Sequence, residues 1–148
     1  MSTLPGEPKS QDPRLQRLID FYEQLQPAHL DKLDRIYSDD VRFKDPFNDV
    51  SGLPAVRHIF SHMFATVQAP RFVVRHAVSD ADQGFLTWDF HFSSKGSTFE
   101  VHGATRVTFA ADGRVALHRD YWDVAEELYE KLPVLGSLMR WLKRRARG

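Results

Sequence analysis

The sequence predicts an α+β domain, with helices packed on one face of an antiparallel meander sheet, and three observations lead there. Apolar residues recur first at helical spacing, from Leu15 to Phe64. From Arg71 to Asp123 the pattern changes to the alternation of strands. Short turns at Ser94-Lys95-Gly96-Ser97 and Ala111-Asp112-Gly113 then join successive strands, as antiparallel neighbours require.

Met1 to Asp12 is rich in Pro, Gly and Ser and is expected to fray. Leu15, Leu18, Ile19, Tyr22 and Leu25 share one face of a helix that starts at Pro13 with Asp12 as N-cap, and Pro27 breaks it. Leu30, Leu33, Ile36 and Tyr37 predict a second short helix ending near Ser38. Val41, Phe43 and Asp45 alternate with Arg42 and Lys44 in a brief strand stopped by Pro46. After turn residues Asn48 to Gly52, Val56, Ile59, Phe60, Met63 and Phe64 mark a third helix that stops before Pro70. The remaining strands are Phe72 to Val78, Phe85 to Ser93, Phe99 to Phe109 and Val115 to Trp122. The domain therefore spans 13–123, and 124–148 form a C-terminal helical extension interrupted by Pro133. There Leu135, Leu138, Met139 and Leu142 make a stripe, with Lys143, Arg144, Arg145 and Arg147 bunched at the end. A helix packed on the domain, its cations at the negative end of its dipole, is one reading; a basic amphipathic helix touching a membrane surface or a partner is the other.

Composition narrows the function. A chain of 148 residues that is 42% hydrophobic, with eleven Phe, can bury one core. Twenty basic and twenty acidic residues leave no net field to recruit nucleic acid. The absence of cysteine excludes disulfides, thiol catalysis and thiolate metal sites. No apolar run approaches the ~20 residues of a membrane span, and no signal pattern opens the chain, so a cytoplasmic protein is expected.

Register across the turns decides which side chains meet. With Ser94 opposite Ser97, Phe92 faces Phe99, Phe90 faces Val101, Trp88 faces Gly103 and Leu86 faces Thr105. The next turn places Val107 near His118, Thr105 near Asp120 and Gly103 near Trp122. That face is apolar except for Thr105, His118 and Asp120, and Gly103 leaves room on it. The opposite face carries Thr87, Asp89, His91, Glu100, His102 and Arg106.

Leading helices, the string YSDDVRFKDP and a final strand RVALHRDYWD together resemble the NTF2-like superfamily, the cone-shaped fold of ketosteroid isomerase, limonene epoxide hydrolase and the SnoaL-like polyketide cyclases. The resemblance implies that Asp45, the acid before Pro46, matches the general base of the isomerases, and that Asp120 matches the water-activating acid of the epoxide hydrolases. It also implies a homodimer through the outer sheet face. Departures accompany it. Phe21 stands where the isomerases carry an oxyanion-binding tyrosine, with Tyr22 one position off and directed elsewhere, and Thr105 replaces the second donor. Trp88 and Phe90 stand where the epoxide hydrolases need an arginine and a partner acid.

The candidate catalytic residues are Asp45, Asp120 and His118. Phe21, Phe43, Phe47, Trp88, Phe90, Gly103, Thr105 and Trp122 are expected to wall a pocket. A carboxylate in an apolar cavity is a usable base near neutrality, and a nearby histidine can orient water or carry the proton. The set suits proton abstraction beside a carbonyl or attack by an activated water, with no cofactor. No Gly-rich loop supports phosphoryl transfer. Asp45 equally well caps the turn FKDPFND, and His118 reads as a satisfied core histidine ahead of an essential base. His58 and His62, one helical turn apart, lack an acid to complete a metal site, so no metal is expected. The expected function is thus that of a pocket protein for a hydrophobic small molecule, acting as an isomerase, cyclase or hydrolase, with a non-catalytic binding or interaction module as the alternative.

Overall fold

The computed structural model describes residues 6–128, 141, 142 and 144–147. Helix α1 (Pro13–Glu23) begins where Asp12 accepts from the Arg14 amide, and it buries Leu15, Leu18, Ile19 and Tyr22. A 3-10 helix (Pro27–Arg35) follows, then strand β1 (Tyr37–Lys44), the short β2 (Asp49–Ser51) and helix α2 (Leu53–Thr66). Strands β3 (Gln68–Asp80), β4 (Gln83–Ser94), β5 (Ser97–Phe109) and β6 (Val115–Tyr121) form the meander, and the short α3 (Val124–Glu127) comes after it. One open six-stranded sheet results, in the order β2-β1-β6-β5-β4-β3. Helices α1 and α2 lean on one face of it and share their apolar stripes with the inward residues of the strands. The α+β class read from the periodicities is the observed one.

Three differences from expectation are instructive. Tyr37 opens β1 instead of closing a helix, because the Val115 amide donates to the Ile36 carbonyl and starts a parallel pairing with β6. Residues 49–51, expected as turn, form β2 and pair with β1. Gly103 and Trp122 are not a ladder pair, since β6 ends at Tyr121 opposite Ala104. The rest of the expected register holds: Trp88 pairs with Gly103, Thr105 with Asp120 and Val107 with His118.

Within the stretch expected to fray, Lys9 is tied down. Its ammonium donates to Glu23 and, at 2.9 Å, to the Val74 carbonyl. The expected C-terminal helix falls largely on residues 129–140, which lie outside the described residues. Among the described residues, no helix is long and apolar enough to cross a membrane.

Candidate functional site

The inner sheet face carries one continuous chain of polar side chains through an otherwise apolar interior. Trp88 Nε1 donates to Thr105 Oγ1 at 2.8 Å, which frees the threonine hydrogen to donate to Asp120 Oδ1 at 2.6 Å. His118 Nε2 lies 2.7 Å from the same oxygen. Its other nitrogen, Nδ1, is 3.0 Å from the Tyr37 hydroxyl, which is 2.7 Å from the Tyr22 hydroxyl. Four elements contribute: α1, β1, the β4/β5 hairpin and β6. The alternation of β6 aims His118 and Asp120 to one side, and the parallel β1–β6 pairing sets Phe43 against His118, their rings stacked 4.5 Å apart.

Burial makes the chain consequential. His118 is only 1% exposed, so both ring nitrogens need partners and have them. Tyr37 is fully buried, and loss of solvent pushes its phenol well up, only partly offset by the Tyr22 hydrogen bond. The Tyr22 phenol is likewise pushed up, first by burial and then by the negative charges that Tyr37 and Asp120 would present. Both stay neutral across the working range. Asp120 Oδ1 holds two partners, and among the described residues none reaches its Oδ2.

A cavity of about 300 Å³ opens beside this chain, between the sheet and α2. Phe43, Phe60, Phe72, Trp88, Phe90 and Trp122 supply much of its apolar wall; Tyr22, Asp45 and Asp120 are polar points on it, and His62 and Thr66 of α2 add two more. A second chamber of about 20 Å³, bounded by Thr105 and His118, shares Tyr22, Phe72, Trp88 and Asp120 with it. Asp120 is thus the acid common to both spaces.

The sequence-derived site residues divide accordingly. Asp120, Asp45, Phe43, Phe47, Trp88, Phe90 and Trp122 line the larger cavity, and His118 and Thr105 line the smaller. Phe47 stands at the margin, 59% exposed, with its ring edge-on to Trp122. Asp45 also caps its turn: Oδ1 accepts from the amides of Phe47 and Asn48 at 2.8 and 2.7 Å and from Asn48 Nδ2. Phe21 lines neither space and packs edge-on against Tyr22 and Phe60. Gly103 leaves no void, because the Trp88 indole lies across it, and a Cβ there would meet three ring atoms within 2.9 Å. Tyr22, expected to point elsewhere, is central. Its place on the apolar stripe with Leu15, Leu18 and Ile19 was the signal, and spacing counted back from Tyr37 concealed it. His58 and His62 are both exposed on α2.

Ionic contacts gather on the outer sheet face. Asp89 lies 2.6 Å from His102 Nδ1 and 2.6 Å from Arg75 Nε. Burial would raise the Asp89 carboxyl, but hydrogen bonds from His102 and Arg75 outweigh it and hold it below its ordinary value. The hydrogen bond to Asp89 raises His102. A lowered acid stabilises the fold above its unfolded value and loses this as pH falls through its folded one, while a raised histidine stabilises below its unfolded value and loses this as pH rises through its folded one. The contribution is therefore greatest between about pH 3.9 and pH 6.5. Unfolding free energies measured from pH 3 to 9 should separate wild type from His102→Ala most in that window, and a gap unchanged at pH 9 would refute the assignment.

The profile of the SnoaL-like domain family matches residues 18–118. No curated protein matches the chain in sequence. Among solved structures, an NTF2-like protein of unknown function from Burkholderia pseudomallei is similar, with a TM-score of 0.70 at 16% identity, over 78% of this chain and 95% of that one. TerC, crystallised with polyporic acid, is similar with a TM-score of 0.68 at 14% identity, over 78% and 95% of the two chains. An LEH-like epoxide hydrolase of M. tuberculosis gives 0.63 at 16% identity, over 77% and 83%. At such identities the likeness is one of fold.

Proposed function

The chain belongs to the SnoaL-like domain family, and from that membership we propose that it is a cofactor-independent enzyme that abstracts a proton beside the carbonyl of a small hydrophobic molecule, as an isomerase or cyclase does. One observation carries the reading: Asp120 stands in the wall of an apolar cavity of about 300 Å³ with Oδ1 held by His118 and Thr105. Those two donors fix the carboxylate's orientation, and Oδ2 is the atom left to take a proton. The cavity volume lies at the lower end of the range for small-molecule sites, which favours a compact ligand. Asp45 sits across the same space with both oxygens engaged by its turn, Oδ1 by the Phe47 and Asn48 amides and Oδ2 by Asn48 Nδ2 at 3.1 Å, so its part is to place negative charge at the margin. Epoxide opening fits less well, since Trp88 and Phe90 occupy the strand positions where that chemistry would need an arginine and an acid.

The test is deuterium incorporation from D2O into a panel of hydrophobic ketones and lactones, read by mass spectrometry, with an epoxide as a separate arm. Incorporation that depends on Asp120 supports the enzyme. Binding of a panel member without incorporation or turnover replaces it with a non-catalytic ligand-binding module.

A second reading concerns assembly. Val78, Phe85 and Tyr121 are exposed on the outer sheet face at 64%, 41% and 45% and border a groove of about 330 Å³. Arg106 beside them buries an Nε that has no partner among the described residues. Apolar exposure next to an unsatisfied donor suits a homodimer through this face. Light scattering should then give twice the chain mass for wild type and the chain mass for Phe85→Asp, whereas a monomeric wild type would exclude the dimer.

A further inference from the structure

We propose that the Tyr22–Tyr37–His118 chain is a reversible proton wire that makes Tyr22 the acid partner of Asp120, armed when His118 carries its second proton. The inference rests on the base role given to Asp120 above.

With a neutral imidazole and an ionised Asp120, the Nε2 hydrogen goes to Asp120 Oδ1. Nδ1 must then accept from Tyr37, and Tyr37 in turn accepts from Tyr22. The Tyr22 hydrogen is spent inward, and the cavity meets only a lone pair. With an imidazolium, Nδ1 donates to Tyr37, Tyr37 donates to Tyr22, and the Tyr22 hydrogen is released toward the spaces that Tyr22 lines. No heavy atom has to move. Because both phenols stay neutral, each passes on one proton for each one it receives.

The balanced step runs as a circuit. Asp120 Oδ2 takes a proton from the carbon beside the carbonyl while Tyr22 gives its hydroxyl proton to the carbonyl oxygen. Tyr22 is refilled from Tyr37, and Tyr37 from His118 Nδ1. Substrate leaves as the enol, and the protein has exchanged imidazolium and carboxylate for imidazole and carboxylic acid, with no net gain of protons. Return of the Oδ2 proton to a different carbon reverses the wire and completes an isomerisation. Base and acid are two ends of one hydrogen-bonded line, so neither charge has to persist in the apolar cavity.

The groups that bear on His118 come from every element around it: Tyr22 from α1, Tyr37 and the stacked Phe43 from β1, and Asp120 from β6, with Thr105 on β5 behind Asp120. Asp45 adds its charge at Tyr22. Tyr37 lines neither space, so it is a positioning residue and the right place to cut.

The experiment uses full-length protein with 13C-labelled tyrosine and 15N-labelled histidine, followed by NMR through the protonation of His118. In wild type, the Tyr22 Cζ resonance should shift with the same midpoint as the His118 ring nitrogens, as its hydrogen turns from Tyr37 to the cavity. In Tyr37→Phe that shift should vanish while the His118 nitrogens still titrate. A Tyr22 resonance that ignores His118 in wild type overturns the wire, and this needs no variant to fold. A Tyr22 shift that survives in Tyr37→Phe overturns it as well, because it then arises from the field of the charge through space. Neither readout requires turnover, so the wire fails or stands separately from the deuterium exchange that tests Asp120.

Discussion

Asp120→Asn is expected to lower deuterium incorporation about 10²- to 10⁴-fold, the usual worth of a positioned general base. The substitution is nearly isosteric. The asparagine oxygen can still accept from Thr105 and from His118, so the inner wall keeps its shape. What changes is the atom in place of Oδ2: an amide nitrogen cannot take a proton from carbon. Ligand affinity measured by calorimetry should stay within about fivefold of wild type, a change of about 1 kcal/mol where a factor of ten is about 1.4 kcal/mol. A rate that survives the change would move the base to Asp45, the other acid in the cavity wall.

His118→Leu is expected to destabilise the fold by about 2–5 kcal/mol, a large share of the roughly 5–15 kcal/mol that holds a domain together. Leucine replaces the ring's volume well, and the stack on Phe43 is lost without a large cavity. The main cost is polar. The fully buried Tyr37 hydroxyl loses one of its two partners, and the Asp120 carboxylate, whose side chain is 17% exposed, loses one of two donors. Urea titration should show a lower midpoint at an unchanged slope. Adding Tyr37→Phe to His118→Leu should cost less than Tyr37→Phe in wild type, because the hydroxyl being removed has already lost its imidazole partner. A loss below about 1 kcal/mol for His118→Leu would mean that water replaces the imidazole at little cost.

The meander was legible in the sequence because it is made of local decisions. Alternation in each strand sorts side chains to two faces, and turns of a few residues carry that sorting from strand to strand. Trp88, Thr105, His118 and Asp120 therefore fell on one face by counting alone, and the ladder pairs Thr105 with Asp120 as counted. The apolar stripe of α1 was equally readable, and it already held Tyr22.

Tertiary structure decided what lies between elements. Tyr37 reads as helical by spacing, yet it meets His118 from 81 residues away because β1 runs parallel to β6, a pairing no short turn announces. The apparent gap at Gly103 belongs to the Trp88 ring, and Asp45 divides itself between a turn and a cavity wall. Periodicity is a property of neighbours along the chain, so it can say that His118 and Asp120 face inward. Which oxygen, ring nitrogen or phenol completes them depends on distances set by packing distant elements together, and the unbroken line from Trp88 to Tyr22 exists only once they are packed.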